Sequence, residues 1–237
     1  MYYDNLCMFF FKENSLNSTR TRSFLRSLLL AAIFLVSSTA SADAFNDYFK
    51  AVKQDNVAKV KELLQRGLDP NLIEEERYDT GLILALREGS MNVFRLLMNT
   101  PNIDLEAKAR NGDTALMIAA FKNNKPAVEA LLARNVHVNR PGWTALHYAA
   151  AAGADDIVRM LLEKSAYIDA ESPNKTTPIM MAAWEGHIWT VKLLLDEGAD
   201  ASLENERGMT AIDFAKAGGH KDIVEGLSYR LQKAGKL

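Results

Sequence analysis

Any chemistry in this chain must come from few side chains. The sequence of 237 residues holds four histidines and one cysteine. Histidine can act as a general base, and histidines grouped with carboxylates or thiolates can hold zinc. His137, His147, His187 and His220 form no paired-ligand motif. There is no glycine-rich phosphate loop and no nucleophile motif. The acidic run Glu74-Glu75-Glu76 is expected on a loop, and an acid–base pair needs burial to tune it. Asp104, Asp169 and Asp200 recur at equivalent positions, which favours a turn role. No catalytic residue, metal site or cofactor is expected.

The elements that would position these groups follow from a repeat. Threonine stands at Thr80, Thr114, Thr144, Thr177 and Thr210, spaced by 34, 30, 33 and 33 residues. It heads the phrases Thr114–Ala120, Thr144–Ala150 and Thr177–Ala183, the last with Pro178 as its second residue. Threonine suits a helix N-terminus, where its hydroxyl can accept from an orphan amide. Gly89, Gly153, Gly186 and Gly219 sit where each first helix should end, and Asn123 replaces glycine in the third unit. A second helix follows each turn, as in Ile157, Val158, Leu161 and Leu162, which make one apolar stripe. The pairs Ala119-Ala120, Ala149-Ala150 and Ala182-Ala183 let neighbouring helices approach.

Six units are expected, at about 43–76, 77–110, 111–140, 141–173, 174–206 and 207–237, the outer two being caps. The phrase and its period resemble the ankyrin repeat from about Phe45 to Leu227. The resemblance implies an all-α solenoid of helix-turn-helix units with short finger hairpins. It also assigns His147 to the motif and His187 and His220 to Gly-His turns, all structural. His137 lies outside the motif, and a surface role is expected for it. The motif proline survives only at Pro178 and the motif histidine only at His147.

Residues 1–42 read as a signal peptide. Arg20, Arg22 and Arg26 precede the apolar run Ser27–Val36, and Ser38–Ala42 ends in a small-x-small cleavage pattern, placing cleavage after Ala42. The apolar run is about ten residues, half of what a membrane span needs. Met1 and Met8 are alternative starts. Of 28 Lys+Arg and 30 Asp+Glu, four and two respectively lie in residues 1–42, so the processed chain carries a formal charge of −4. That balance does not suggest a nucleic-acid partner. The one cysteine, Cys7, would be removed, leaving no disulfide or thiolate. The chain also resembles small exported bacterial proteins of the same repeat type. An exported location is expected: the periplasm in a Gram-negative cell, secretion otherwise.

Such arrays bind through their first helices and finger tips, as the resemblance implies. Arg87, Phe121-Lys122, Ala151-Ala152 and Trp184-Glu185 follow the alanine positions. The residues before each threonine, Asp79, Asp113, Trp143, Thr176 and Met209, are expected to project from the fingers. Phe121, Trp143 and Trp184 would then line one groove, rimmed by Arg87, Lys122, Arg140, Glu185 and Met209. The alternative is that the rings pack between repeats. Tyr148 is expected in the core, and Trp189 on the opposite face. Residues 139–143 are three short of their neighbours, which either notches the finger row beside Arg140 and Trp143 or is neutral loop loss.

The function these features imply is non-enzymatic binding of another protein, as an adaptor or a protector of an exported partner. An inhibitor or immunity-type protein that blocks an enzyme or toxin is the alternative. Neither needs a membrane span after signal removal.

Overall fold

The computed structural model describes residues 43–236. The expected signal peptide, its cleavage site after Ala42 and Cys7 lie outside the described residues. The chain divides into two units, residues 1–47 and residues 48–237, and the repeats occupy the second.

Twelve helices are present among the described residues. Residues 43–53 form α1. Then come α2 (Val57–Gln65), α3 (Gly81–Glu88), α4 (Met91–Met98), α5 (Ala115–Phe121) and α6 (Lys125–Ala133). The array continues with α7 (Ala145–Ala151), α8 (Asp155–Glu163), α9 (Pro178–Glu185), α10 (Ile188–Asp196), α11 (Ala211–Gly218) and α12 (Lys221–Lys233). The fingers are turns, with one isolated antiparallel bridge, Ile73–Thr80, among the described residues.

Each first helix starts at its threonine, in extended backbone. Thr80 and Thr114 accept from the amides of Ile83 and Met117 at 3.4 and 3.5 Å. Thr144 and Thr210 add a reciprocal bond. The Thr144 amide donates to His147 Nδ1 at 3.2 Å, and the Thr210 amide to Asp213 Oδ2 at 3.1 Å. These are capping boxes, with His147 and Asp213 in the place usually held by glutamate. At the other end Gly89, Gly186 and Gly219 take left-handed φ values of 75°, 84° and 82°. Asn123 stands in for glycine at φ 50°.

The first helices α3, α5, α7, α9 and α11 stack in one layer, and the second helices in another. Ala85, Ala119, Ala120, Ala149, Ala150, Ala182, Ala183 and Ala215 have no exposed surface, and they form the contact between successive first helices. Val93, Leu97, Val128, Leu131, Ile157, Leu161 and Leu194 fill the space between the layers.

Polar side chains tie each repeat to the next. His147 Nε2 donates to the Thr176 carbonyl at 2.9 Å, so Nδ1 is the acceptor for the Thr144 amide and hydroxyl. His187 and His220 donate to the Ala151 and Trp184 carbonyls, both at 3.0 Å. Those carbonyls are unpaired ends of the preceding first helix. The rings lie over Gly153 and Gly186: a Cβ on either glycine would fall within 2.6 Å of His187 or His220. Asp169 accepts from the Asp200 amide at 3.0 Å, and Asp104 and Asp200 hold the amides of Glu106 and Ser202. The recurring aspartates thus serve the turns.

The first unit closes on a tyrosine. Tyr48 is fully buried and donates to the Pro70 carbonyl at 3.3 Å. A Cβ on Gly81 would lie 2.1 Å from the Tyr48 oxygen, so glycine stands where the inner repeats carry alanine or proline. Gly81→Ala should therefore destabilise the fold by about 1–3 kcal/mol, although alanine favours helix. Urea denaturation tests this; equal or greater stability would refute the clash.

His147 is 1 % exposed, and burial lowers its pKa from 6.5 to about 4. The unfolded chain then binds the extra proton between those values, so stability is complete above about pH 6.5 and falls as pH drops towards 4. Unfolding free energy should lose about 2 kcal/mol from this group between pH 7 and pH 5. His147→Gln should be less stable at neutral pH and should lack that increment of pH dependence, read by urea titrations at the two pH values.

Candidate functional site

The residues after the alanines and the residues before the threonines face one another along the first-helix layer. Phe121 and Trp184 end α5 and α9 and are 52 % and 44 % exposed. Trp143 is half-buried, on the finger before α7. The rings are thus partly open to water, although Phe121 and Trp184 each also touch a ring of the next repeat. Phe121 meets Tyr148 edge to face at 6.0 Å, and Trp184 meets Phe214 likewise at 6.0 Å. Trp143 stands edge-on to His147 at 5.2 Å.

Two hollows result. One, of about 220 Å³, is lined by Phe121, Trp143, His147, Tyr148, Ala151 and Met181. The next, of about 350 Å³, is lined by Trp143, Met181, Trp184, Met209 and Phe214, with Glu185, Arg207, Asn174, Thr176 and Asn205 at its edges. They share Trp143 and Met181, so one aromatic groove runs from α5 to α11.

Several expectations need correction. Asp79, Asp113 and Thr176 do not project; they are 0 %, 4 % and 2 % exposed. Only Trp143 and Met209 of that set reach the surface, and both are half-buried. The cause is an inward polar network. Arg87 places Nε 2.9 Å from Asp79 and Nη2 3.2 Å from Asp113. Asn111 donates to Asp113 at 2.7 Å, and the Tyr148 hydroxyl donates to the same carboxylate. Burial pushes the Asp79 carboxyl up against the pull of Arg87. Burial, then Asp113, pushes the Tyr148 phenol up. Arg87 is thus consumed inside the protein. Tyr148 is not core: it is half-buried and forms a wall of the smaller hollow.

Arg140 is tied to Glu106 at 3.3 Å, with His137 on the other oxygen at 2.9 Å. Lys122 and Glu185 are exposed and make no ion pair among the described residues. Met181 and Phe214 complete the groove and escaped the sequence reading. Phe214 could have been found: it stands four residues after Thr210, the place that Tyr148 holds after Thr144.

Residues 139–143 make no backbone–backbone hydrogen bond among the described residues. Elsewhere fingers are linked directly, Arg110 amide to Arg77 carbonyl at 2.9 Å and Glu206 amide to Asn174 carbonyl at 3.1 Å. The short finger is held by side chains instead: Asn139 bonds the Ser165 carbonyl and the Tyr167 amide. On the opposite face Trp189 is 71 % exposed beside Arg159 and Lys192.

Among the described residues no three His, Cys, Asp or Glu side chains could hold a metal ion, and no helix is long and apolar enough to cross a membrane.

Comparison with known proteins gives the repeat its family. The family model for ankyrin repeats (three copies) matches residues 48–141, 95–172, 135–205 and 167–234. The chain is similar to human SH3 and multiple ankyrin repeat domains protein 2, 34% identical over 161 residues, 66% of this chain and 9% of that protein. It is similar to the human transient receptor potential cation channel subfamily A member 1, 30% identical over 160 residues, 63% of this chain and 14% of that protein. Mouse nuclear factor NF-kappa-B p105 subunit is 30% identical over 170 residues, 68% of this chain and 17% of that protein. The chain spans under a fifth of the length of these relatives. The matched repeats, the capped helix pairs and the alanine stack together make this chain a member of the ankyrin-repeat family, whose repeats generally mediate protein–protein interaction.

Proposed function

We propose that this chain is a non-enzymatic adaptor or protector that binds another exported protein through the groove between Phe121 and Phe214. The observation that carries this reading is the run of exposed aromatic rings on one face. Large apolar side chains left open to water in contiguous hollows mark interaction sites. Tryptophan and tyrosine are the side chains that dominate such contacts. Lys122, Glu185, Arg207 and Met209 supply the rim, while Arg87 and Arg140 support it from within through Asp113 and Glu106.

Export is the second part of the proposal. It rests on the basic–apolar–small order of residues 20–42. Fractionation of cells followed by N-terminal sequencing should recover a processed chain beginning at Asp43. A chain that retains residues 1–42 in the cytoplasm would refute it.

Changing Phe121, Trp143 and Trp184 together to alanine should abolish capture of the native partner by crosslinking and mass spectrometry. Trp189→Ala, on the other face, should leave capture intact. The triple variant should still unfold cooperatively and melt within about 12 °C of the parent, the shift expected for roughly 3 kcal/mol from three lost ring contacts in a domain of this size. Undiminished capture would refute the site.

A further inference from the structure

We propose that Asn111 is a self-modifying site: its side-chain amide is lost through a cyclic imide with Gly112, leaving aspartate or isoaspartate in the finger ahead of α5. This site stands whether or not the groove binds a partner.

The step needs only water. The Gly112 amide nitrogen attacks Asn111 Cγ, and its proton passes to solvent. The Cγ–Nδ2 bond breaks, ammonia leaves and a succinimide ring closes. Water then opens the ring at Cγ, giving aspartate, or at the main-chain carbonyl, giving isoaspartate. One water is gained and one ammonia lost, with no change of oxidation state.

Sequence and exposure place the reaction here. Asn111 is the one asparagine in the sequence that glycine follows. A side chain on the following residue crowds the attacking nitrogen, and glycine has none. Asn111 and Gly112 are both exposed. Gly112 has a φ of 88°, and a Cβ there would meet no other part of the chain within 4 Å, so that side of the residue is open.

The finger before α9 supplies a built-in comparison. Asn174, like Asn111, stands three residues before its threonine and is exposed. Both hairpins close alike. The Ala109 and Ser172 amides donate to the Asp113 and Thr176 carbonyls at 2.9 and 3.0 Å. The Gly112 and Lys175 amides donate to the Ala109 and Ser172 carbonyls at 2.9 and 2.8 Å. Lys175 also takes a left-handed φ, of 60°. Each amide must leave its carbonyl before it can attack, and exposed finger tips open at little cost. What differs is the lysine side chain beside the nitrogen at 175. Asn111 should therefore convert while Asn174 persists.

The product matters because of what Asn111 holds. Its Nδ2 donates to Asp113 Oδ2 at 2.7 Å. Asp113 is buried, and its other donors are Arg87, at 3.2 Å, and the Tyr148 hydroxyl. Arg87 also faces the buried Asp79. A carboxylate at 111 removes a donor and sets a third negative charge beside one arginine. Like charges this close repel, and a buried partner is poorly screened. Isoaspartate goes further. It lengthens the main chain next to Arg110, whose amide ties this finger to the Arg77 carbonyl at 2.9 Å. Tyr148 is a wall of the smaller hollow, so the change reaches the groove.

Ageing the purified protein, as it is produced in cells, in mildly alkaline buffer tests the site. Peptide mapping by mass spectrometry, against an unaged sample digested in parallel, reads conversion at each asparagine. Asn111 should convert at least about ten-fold faster than Asn174, and Gly112→Lys, which copies the finger before α9, should slow it by about as much. Labelling by an isoaspartate methyltransferase should appear at residue 111 and grow with age. Urea denaturation at pH 7 reads the effect on the fold. Asn111→Asp, one of the two products, should raise the unfolding constant about ten-fold above that of Asn111→Ala, which loses the donor but adds no charge. Asn111 unconverted, or converted no faster than Asn174, would overturn the site. Equal stability of the two variants would overturn the effect on the Arg87 cluster.

Discussion

The structure depends on one steric constraint: the contact between successive first helices must be filled mostly by side chains as small as a methyl group. Eight alanines along that contact have no accessible surface. A helix pair this short cannot bury its apolar face alone, so each repeat is stable only against its neighbours. The close approach then makes the polar ties possible. It brings Arg87 to Asp113 of the next repeat, His147 to the Thr176 carbonyl, and His187 to the Ala151 carbonyl.

The groove is divided in character along its length. Beneath its α5 end charges are spent on one another, with Arg87 held between two buried carboxylates and Tyr148 closing the set. Removing one member of such a set leaves an uncompensated buried charge, costing about 3–5 kcal/mol. Towards α11 the surface becomes aromatic and thioether-rich, with Trp184, Phe214, Met181 and Met209 along it.

The threonine period made the helix pairs, their caps and the alanine contact legible, because all of these are local or recur at one repeat length. The histidine roles were legible for the same reason. The inward turn of Asp79 and Asp113 was not. It depends on Arg87, which lies in a different element from either carboxylate, and no local pattern marks that meeting. Tyr148 occupies a position that is buried as Leu84 and Ile118 in the earlier repeats and half-buried as Met181 and Phe214 in the later ones; its hydroxyl bonds Asp113. The groove was half legible. Phe121, Trp143 and Trp184 stood out as large rings at variable positions. Met181 sits inside the repeat phrase itself, where periodicity predicts burial and hides a surface role.

The short finger at residues 139–143 has a mechanical consequence. Direct backbone links join fingers on either side of it, but this segment is tied only through the side chains of Asn139 and Arg140. Backbone braces join the first finger to the second and the fourth to the fifth, so the junctions on either side of this finger are the unbraced and most compliant ones. Bending strain in the array would concentrate there, and Trp143, the ring shared by both hollows, stands at that compliant joint.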